Sequence, residues 1–255
     1  MQAMAELLSG RPVVFGEVLF DHFIEDDSDV LGGAPFNVAW HLHGFGQAPL
    51  FISRIGADAR GEAVREAMRT WGMDCAGLQG DPDHPTGTVE VDLTGDQPRF
   101  DIVPEQAYDF IDAETAAKAL EDGPWALIYH GSLAARHPVS AAALEALRGS
   151  GLPAFVDINL RPPWWSRQGV LGLLEGGRWL KLNEDELAAV LDRTVSAEGL
   201  EPVAKGLRAE HALDTLIVTL GGQGALVATE RGTCRDAPPP LETVVDTVGA
   251  GDAFS

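Results

Sequence analysis

Two glycines and an acid that could take part in a reaction lie together near the end of the sequence, in the segment ETVVDTVGAGDAFS. Gly249 and Gly251 permit backbone conformations that are closed to other residues. The apolar pair Val244-Val245 predicts a strand before them, and Ala253-Phe254 predicts the first turn of a helix after them. A strand, a glycine turn and a helix start direct several backbone N–H groups at one point, which favours an anion, commonly phosphate.

Asp252 lies where such an anion would be held. A carboxylate there would repel the anion unless it had a chemical task, and accepting a proton from an attacking hydroxyl is such a task. An ordinary turn with an acid near a helix N-terminus, where it favours the helix dipole, explains the segment equally well. The segment alone leaves both interpretations open.

The segment GGAPFNVAWHLHGFG, from Gly32 to Gly46, places glycines and a proline before a helical pattern. The amide of Asn37 can both donate and accept hydrogen bonds, as a sugar hydroxyl requires. A simple loop-to-helix junction explains the same residues. His41 and His43 are two residues apart, so on a helix they point in different directions and make poor joint metal ligands.

A second polar segment, FVDINLRPPWW, follows an apolar strand pattern. Asp157, Asn159 and Arg161 alternate, so an extended strand would place all three on one side. Arg161 could then hold a phosphate oxygen. An ion pair between Asp157 and Arg161 at the strand end is the structural alternative.

Two further segments have both a structural and a functional interpretation. In LNEDELAAVL, Asn183 and Glu186 have the spacing of a helix capping box, which is a sufficient structural explanation. The same two residues could orient Mg²⁺ through water, because Mg²⁺ usually keeps several waters. In VTLGGQGALV, from Val218, the pattern predicts a hairpin whose glycine backbone could lie close to a nucleotide.

Apolar runs alternate with helical patterns along the chain, which predicts an α/β fold with a mainly parallel sheet covered by helices on both faces. Thr86 to Leu93 and Arg99 to Val103 interrupt this alternation and predict a β-hairpin around the turn at 95–98. With the strand pattern Val18 to Ile24, the hairpin predicts a small added β-sheet that serves as a lid. The predicted strands cover 13–15, 50–55, 126–129, 154–158 and 215–220, and the predicted helices 37–43, 61–71, 113–120, 140–147 and 183–191.

Composition limits the partners of the protein. The chain has 255 residues with 18 basic and 39 acidic side chains, a net charge of −21. This charge argues against nucleic-acid or anionic-membrane binding. It does not exclude ATP, whose phosphates need only local positive potential from backbone N–H groups, an arginine or Mg²⁺.

The sequence also predicts a cellular location. Cys75 and Cys234 are too few for a disulfide framework, so we expect a reducing cytosol and buried packing positions for both. The first ten residues lack a basic start and a sustained apolar run, and no stretch reaches the length that spans a bilayer. We therefore expect a cytoplasmic protein with no membrane partner.

The order of these segments resembles that of the ribokinase-like sugar kinases, the pfkB family of carbohydrate kinases. The resemblance covers nearly the whole chain and is closest to the fructokinases, on GGAP and on the N-L-R-P of the Asp157 segment. Phe36, where relatives often have a small residue, and Ile158, where they often have proline, depart from the family pattern. Seven segments carry the resemblance in the family order: GEVLFD, GGAPFN, RIGADARG, DINLRP, NEDE, TLGGQG and DTVGAGD.

The resemblance implies a role for residues at each of these segments. Asp252 corresponds to the catalytic base, and the backbone of Gly249, Ala250 and Gly251 to the anion hole for the transferred phosphoryl group. The implied sugar or phosphate contacts are Asp21, Gly33, Asn37, Arg161 and, on the lid hairpin, Arg99 and Phe100. The implied nucleotide, Mg²⁺ and monovalent-cation positions are Asn183, Glu186, Thr219, Gly222, Gly224 and Asp246, with Glu186 acting on Mg²⁺ through water and Asp246 near a K⁺ site.

The resemblance implies an ATP-dependent, Mg²⁺-requiring kinase that phosphorylates a primary hydroxyl of a sugar, with fructose expected first. It also implies a lid from about 17–31 and 86–104 that could form a homodimer contact. Family members continue past the position of Ser255, so we expect residues 1–255 to form a single kinase domain that lacks its C-terminal segment.

Several alternatives to this interpretation stay open. The substrate could be another sugar, a sugar acid or a nucleoside, or the protein could be a non-catalytic sugar or nucleotide sensor with the same fold. A Rossmann oxidoreductase fits less well, because Phe254 occupies the position of the third glycine in its G-x-G-x-x-G pattern. A P-loop kinase is excluded by the absence of a Walker A sequence.

Overall fold

The computed structural model describes residues 10–94, 99–121, 123–238 and 250–255. The chain divides into two compact units. Unit 1 comprises Met1–Ile128 and Ala134–Leu152, and unit 2 comprises Tyr129–Leu133 and Pro153–Ser255.

Unit 1 contains four strands of the main sheet, β1 (Arg11–Phe15), β4 (Leu50–Gly56), β5 (Leu78–Asp81) and the first part of β8 (Trp125–His130). They lie side by side in the order β8-β1-β4-β5, and β4 is parallel to both β1 and β5. The helices of this unit are α1 (Ala34–Gly44), α2 (Ala59–Trp71), α3 (Ala113–Lys118) and α4 (Pro138–Arg148). Phe15, Phe51, Met68 and Leu147 are fully buried between these elements and form much of the core.

A separate four-stranded sheet also belongs to unit 1. Its strands are β2 (Leu19–Phe23), β3 (Ser28–Gly32), β6 (Gly87–Asp92) and β7 (Arg99–Ile102), in the order β3-β2-β6-β7. β6 and β7 pair antiparallel, as the hairpin pattern predicted, while β2 and β6 pair parallel. The predicted turn at 95–98 lies outside the described residues. We call these four strands the small sheet.

Unit 2 contains β9 (Ala154–Asp157), β10 (Gly177–Asn183), β11 (Thr215–Thr219), β12 (Ala225–Thr229) and β13 (Gly232–Asp236), side by side in chain order. The first three are parallel, and β12 and β13 continue antiparallel. The helices are α5 (Arg167–Leu174), α6 (Glu184–Leu191), α7 (Leu200–Glu210) and α8 (Ala250–Phe254). Buried side chains of β9 to β12 and of α5 to α7 form one hydrophobic core.

The mixed α/β class with a large, mostly parallel sheet and a small separate sheet is confirmed. The five predicted helices and five predicted strands are all present, with ends shifted by a few residues. Helices α5 and α7 were missed because glycines interrupt their helical patterns, Gly169 and Gly172 in α5 and Gly206 in α7. Pro202 also argued against a helix at α7, although proline is tolerated in the first turn of a helix.

One packing prediction is wrong. Cys234 is exposed and Cys75 is only partly buried, and both thiols are free. Cys234 lies on β13, the last strand of its sheet, so it gains little cover from neighbouring strands. Phe36 is buried in α1 and packs edge-on against Phe51 with ring centres 5.6 Å apart, so its bulk serves the core.

Candidate active site

A buried ion pair lies at the centre of the polar residues of unit 2. Asp157, the last residue of β9, is paired in register with Lys181 of β10. The Lys181 Nζ atom lies 2.7 Å from Asp157 Oδ2, and the two side chains are 8% and 3% exposed. Tyr129 donates its hydroxyl to the same oxygen at 2.9 Å. A buried pair offsets its desolvation cost only when further hydrogen bonds complete it, and Tyr129 supplies one.

Tyr129 is held in its protonated form. Burial is the largest cause that keeps its pKa well above the ordinary value, and the negative charge of Asp157 adds to it. Asp252 also raises the pKa of Tyr129 through its charge, so the two side chains are electrostatic neighbours. Tyr129 therefore acts as a hydrogen-bond donor to Asp157 over the whole physiological pH range.

Helix α8 lies against this ion pair. Ser255, directly after the helix, has its hydroxyl oxygen 2.8 Å from Asp157 Oδ2 and 3.1 Å from the carbonyl oxygen of Gly251. A side chain added at Gly251 would bring its Cβ 3.9 Å from Lys181 Nζ. Asp252, half-buried in the first turn of α8, is thus carried by a helix that borders the Asp157–Lys181 pair.

The predicted capping box of α6 is confirmed. Asn183 Oδ1 accepts from the Glu186 backbone N–H, and Glu186 Oε2 accepts from the Asn183 backbone N–H, both at 2.8 Å. Glu186 Oε1 accepts a third bond, at 2.7 Å, from the Leu160 N–H. The carboxylate thus joins α6 to the segment that follows β9.

Burial is the main reason that the pKa of Glu186 is raised. The two backbone donors, from Asn183 and Leu160, oppose this effect, and the nearby charge of Asp157 adds to it. Each carboxylate oxygen of Glu186 accepts one protein hydrogen bond and keeps a second lone pair. A water or ion ligand could still be bound through those lone pairs.

The predicted alternation of Asp157, Asn159 and Arg161 is wrong. β9 ends at Asp157, and Asn159 has a φ of 44°, in the left-handed region that asparagine tolerates. Arg161 is exposed and donates to the Leu160 carbonyl oxygen at 3.4 Å. The proposed Asp157–Arg161 ion pair is wrong as well, since Lys181 occupies the position beside Asp157.

The glycine segment between β11 and β12 forms the predicted hairpin. Thr219 ends β11, and its hydroxyl lies 3.5 Å from the Leu182 carbonyl oxygen. Gly222 lies in a short 3-10 helix, Gly221–Gln223, and is exposed. Gly224 has a φ of 88°, and a Cβ there would collide with the Asp236 carbonyl oxygen. The hairpin therefore requires glycine at 224, and its nucleotide role stays a prediction.

The predicted sugar-side residues lie in unit 1. Gly33 precedes α1 with a φ of 108°, and its carbonyl oxygen accepts from the Asn37 backbone N–H at 2.8 Å. A Cβ at Gly33 would lie 2.8 Å from the Glu17 carbonyl oxygen. Asp21, on β2, and Asn37 are half-buried. The α1 start and the segment before β2 are therefore in close backbone contact.

The remaining predicted residues fall into two groups. Arg99 and Phe100 begin β7 and are exposed, Phe100 to 64%. Gly249 and Asp246 lie outside the described residues, and Ala250 is the first residue of α8. Their proposed roles stay predictions.

Sequence reasoning missed the contributions of Tyr129, Lys181 and Ser255. Lys181 could have been identified from the sequence, because it is a single cation within the apolar strand pattern WLKLN. A lysine at such a position needs a buried partner, which here is Asp157. Tyr129 and Ser255 had no comparable signal, because each reaches Asp157 only through the tertiary fold.

Neither a metal cluster nor a membrane helix occurs in the described ranges. They contain no group of three or more His, Cys, Asp or Glu side chains placed to hold a metal ion. In the same part of the chain, no helix has the length and apolarity to cross a membrane.

Comparison with known proteins identifies the class. The family model for "pfkB family carbohydrate kinase" matches residues 23–255. Fructokinases of Salmonella typhimurium and Escherichia coli are each 30% identical over 97% of this chain and 82% of their own. The aminoimidazole riboside kinase of Salmonella typhimurium is 28% identical over 94% of this chain and 77% of its own.

A solved structure agrees with this match. Fructokinase from Vibrio cholerae O395, a double mutant bound to fructose, ADP and potassium ion, superposes with a TM-score of 0.80. The two chains are 26% identical, and the match covers 96% of this chain and 80% of that one. Fold and sequence together define a sugar kinase of the ribokinase-like class. The chain belongs to the pfkB family of carbohydrate kinases.

Proposed function

We propose that this kinase transfers the γ-phosphoryl group of ATP to a primary hydroxyl of fructose. The similarity to two fructokinases over nearly the whole chain supports fructose as the acceptor. The Vibrio cholerae fructokinase, which binds fructose and ADP, supports the same sugar and an adenine nucleotide. We also propose a cytoplasmic location, supported by the two free cysteines.

One observation carries the proposed mechanism: Asp252 lies in the first turn of α8, beside the buried residues around Asp157. Asp252 accepts the proton of the attacking sugar hydroxyl. The backbone N–H groups of Gly249, Ala250 and Gly251 stabilise charge on the transferred group, because fixed dipoles need no reorganisation during the reaction. Arg161, exposed after β9, can swing toward a phosphate oxygen.

The donor set of unit 2 fits a Mg²⁺ ion that keeps most of its waters. Glu186 retains one lone pair on each oxygen after accepting its backbone hydrogen bonds, and Asn183 adjoins it. Mg²⁺ is commonly bound by one or two carboxylates together with waters and substrate phosphates, and this donor set suits such binding. When bound, Mg²⁺ offsets negative charge on the phosphates.

The remaining residues bind the two substrates. Asp21 and Asn37 accept and donate hydrogen bonds to sugar hydroxyls near the backbone of Gly33, while Arg99 and Phe100 cover the sugar from the small sheet. Thr219, Gly222 and Gly224 lie along the nucleotide. Asp246 contributes to a monovalent-cation site, a proposal supported by the potassium ion in the Vibrio cholerae structure.

A second candidate acceptor is a nucleoside-like riboside. The match to an aminoimidazole riboside kinase, at 28% identity, favours it over other sugars. A riboside also offers a primary hydroxyl, so the same proton transfer to Asp252 would apply. Fructose and the riboside differ in the part of the molecule that carries this primary hydroxyl.

The test is a substrate panel measured with the purified kinase. ADP formation is followed with ATP and Mg²⁺ against fructose, other ketoses, aldoses, a sugar acid and nucleosides, including aminoimidazole riboside. We expect the highest kcat/KM with fructose. A higher kcat/KM with the riboside would contradict fructose as the acceptor and support the riboside. Binding of sugar without ADP formation would indicate a non-catalytic sensor.

The small sheet is also our proposed homodimer contact. Val30 on β3 and Phe100 on β7 are 52% and 64% exposed, large fractions for apolar side chains. Analytical ultracentrifugation of the parent and of a Val30→Asp/Phe100→Ser variant tests this contact. A parent that stays monomeric at micromolar concentration would refute it.

A further inference from the structure

We propose that Ser255 is a positioning residue, which fixes Asp252 by tying helix α8 to the buried Asp157–Lys181 pair. The inference rests on the proposed function in one respect, the role of Asp252 as proton acceptor. The anchoring itself is independent of which sugar is phosphorylated.

Ser255 is placed to act on the turn that carries Asp252. Its backbone N–H donates to the Asp252 carbonyl oxygen at 3.2 Å, so the two residues share one turn. Its hydroxyl oxygen lies 2.8 Å from Asp157 Oδ2 and 3.1 Å from the Gly251 carbonyl oxygen. A serine hydroxyl has one proton, and the carboxylate at the shorter distance is the stronger acceptor.

The anchor on the other side of this bond is rigid. Asp157 Oδ2 also accepts from Lys181 Nζ at 2.7 Å and from the Tyr129 hydroxyl at 2.9 Å. All three side chains are buried, and β9 and β10 place Asp157 and Lys181 opposite each other in register. Ser255 therefore bonds to an atom that cannot move without breaking a buried ion pair.

Two residues of this turn act on the anchor: the Ser255 hydroxyl bonds to Asp157, and the charge of Asp252 acts on Tyr129. The Ser255 hydroxyl is thus a polar tie between α8 and the interior of unit 2. Misplacement of a reacting group by about 1 Å can slow an enzyme by roughly 100-fold.

The experiment compares Ser255→Ala with Ser255→Thr, which keeps the hydroxyl, and with Ser150→Ala as a matched control. Ser150 lies in an exposed turn of unit 1, and its hydroxyl makes a 3.5 Å contact to the Leu152 N–H. For each variant of the complete protein, kcat and KM for sugar and ATP are measured with the best sugar of the panel. Melting temperature and amide exchange in α8 are measured without substrate.

We expect Ser255→Ala to lower kcat by about 10- to 100-fold with both KM values nearly unchanged, because positioning is lost while binding residues stay intact. Exchange of the α8 amides should accelerate. Ser255→Thr should restore most of kcat, and Ser150→Ala should behave as the parent. Together these results would support the inference.

Any of three kinetic results would overturn it: a kcat of Ser255→Ala close to that of the parent, a change confined to KM, or no recovery with Ser255→Thr. A lower melting temperature with kcat restored in a cooler assay would also refute it, since Ser255 would then only stabilise the fold. Asp252→Asn, measured in parallel, separates the two proposals. If that variant stays active, Asp252 is not the base, whereas α8 exchange still decides whether Ser255 anchors the helix.

Discussion

At the scale of single residues, one carboxylate organises the polar interior of unit 2. Asp157 Oδ2 is within hydrogen-bond distance of Lys181, Tyr129 and Ser255. Glu186 plays a similar part nearby by accepting from two backbone N–H groups. Asp157 thus has a structural task, and Glu186 has one besides its proposed part in Mg²⁺ binding. The half-buried Asp252 of α8 is the acid to which we assign proton transfer.

We expect Asp252→Asn to lower sugar-dependent ATP turnover by roughly two to four orders of magnitude, because an amide cannot accept the hydroxyl proton. The measurement is kcat/KM at saturating ATP, with circular dichroism to confirm folding. Asp192→Asn is the control, since Asp192 is exposed and has a φ of 51°, a conformation that asparagine adopts readily. Near-parental turnover by a folded Asp252→Asn would contradict the base assignment.

At the scale of elements, close backbone contacts fix how the helices begin. Gly33 lets the start of α1 approach the Glu17 carbonyl oxygen. Asp58 caps α2 and also binds Thr86, just before β6 of the small sheet. Helix starts in unit 1 are thus joined to segments distant in sequence.

Gly33→Ala should destabilise the protein more than Gly46→Ala. Both glycines have positive φ, 108° and 77°, but only at Gly33 would the added methyl group meet atoms within 4 Å, whereas Gly46 faces open space. Left-handed strain alone costs about 1–2 kcal/mol. Urea unfolding measures both variants, and an equal loss in free energy of unfolding would contradict the crowding at Gly33.

Asp58→Ala should lose more stability than Asp112→Ala. Each caps a helix, for about 0.5–2 kcal/mol, but the Asp112 carboxylate bonds to nearby Thr115, whereas that of Asp58 also binds distant Thr86. Urea unfolding at neutral pH compares the two variants. Equal losses would mean that the Thr86 contacts add no stability.

The Asp58 contribution should also depend on pH. Burial alone would raise the pKa of Asp58, but hydrogen bonds from Thr86 and Gly61 outweigh burial and lower it. Because the pKa of Asp58 is lower in the folded than in the unfolded protein, its ionised form stabilises the folded state at pH values above the unfolded pKa. This stabilisation is lost as the pH falls through the folded pKa. The stability gap between parent and Asp58→Ala should therefore narrow in acid. A gap that stays constant below about pH 4 would contradict this assignment.

The small sheet should respond to sugar as a lid. We expect amide exchange in β6 and β7 to slow when sugar binds, because closure excludes water from the reacting group. Mass spectrometry of exchange at saturating sugar measures this, with helix α4 as the reference segment. Unchanged exchange in both strands would reject the lid role.

At the scale of the whole molecule, the net charge of −21 is the dominant feature. Self-repulsion of this size destabilises the compact state, and salt screens it. We expect the melting temperature to rise by about 2–4 °C, or roughly 1 kcal/mol, between low salt and about 0.5 M NaCl. The rise should shrink toward the isoelectric point, which lies near 4.5. An equal rise at both pH values would point to a cause other than charge.

Local sequence patterns predicted much of the fold because they depend on neighbouring residues. The alternation of apolar runs and helical spacing predicted the α/β class, the hairpin of β6 and β7, and the glycine hairpin between β11 and β12. The spacing of Asn183 and Glu186 predicted the capping box. The order of the motifs predicted the carbohydrate kinase family.

The same patterns failed where a single residue changed the backbone path. Asn159, with its left-handed φ, ends the alternation that would have placed Arg161 beside Asp157. Composition likewise could not show that Cys234 would lie on the last strand of a sheet and stay exposed. Both errors concern the environment of a side chain rather than its type.

The capping box of α6 was predicted from residues within one turn, because its hydrogen bonds join neighbouring residues. The fold class and the family were predicted from the order of short local patterns along the chain, each of which can be identified without the tertiary structure. The groups that meet at Asp157 were decided by the tertiary structure. Tyr129 is 28 positions away, Lys181 is 24 and Ser255 is 98. Strand register and the packing of α8 bring them to one oxygen atom, and neither is encoded in any short stretch of chain.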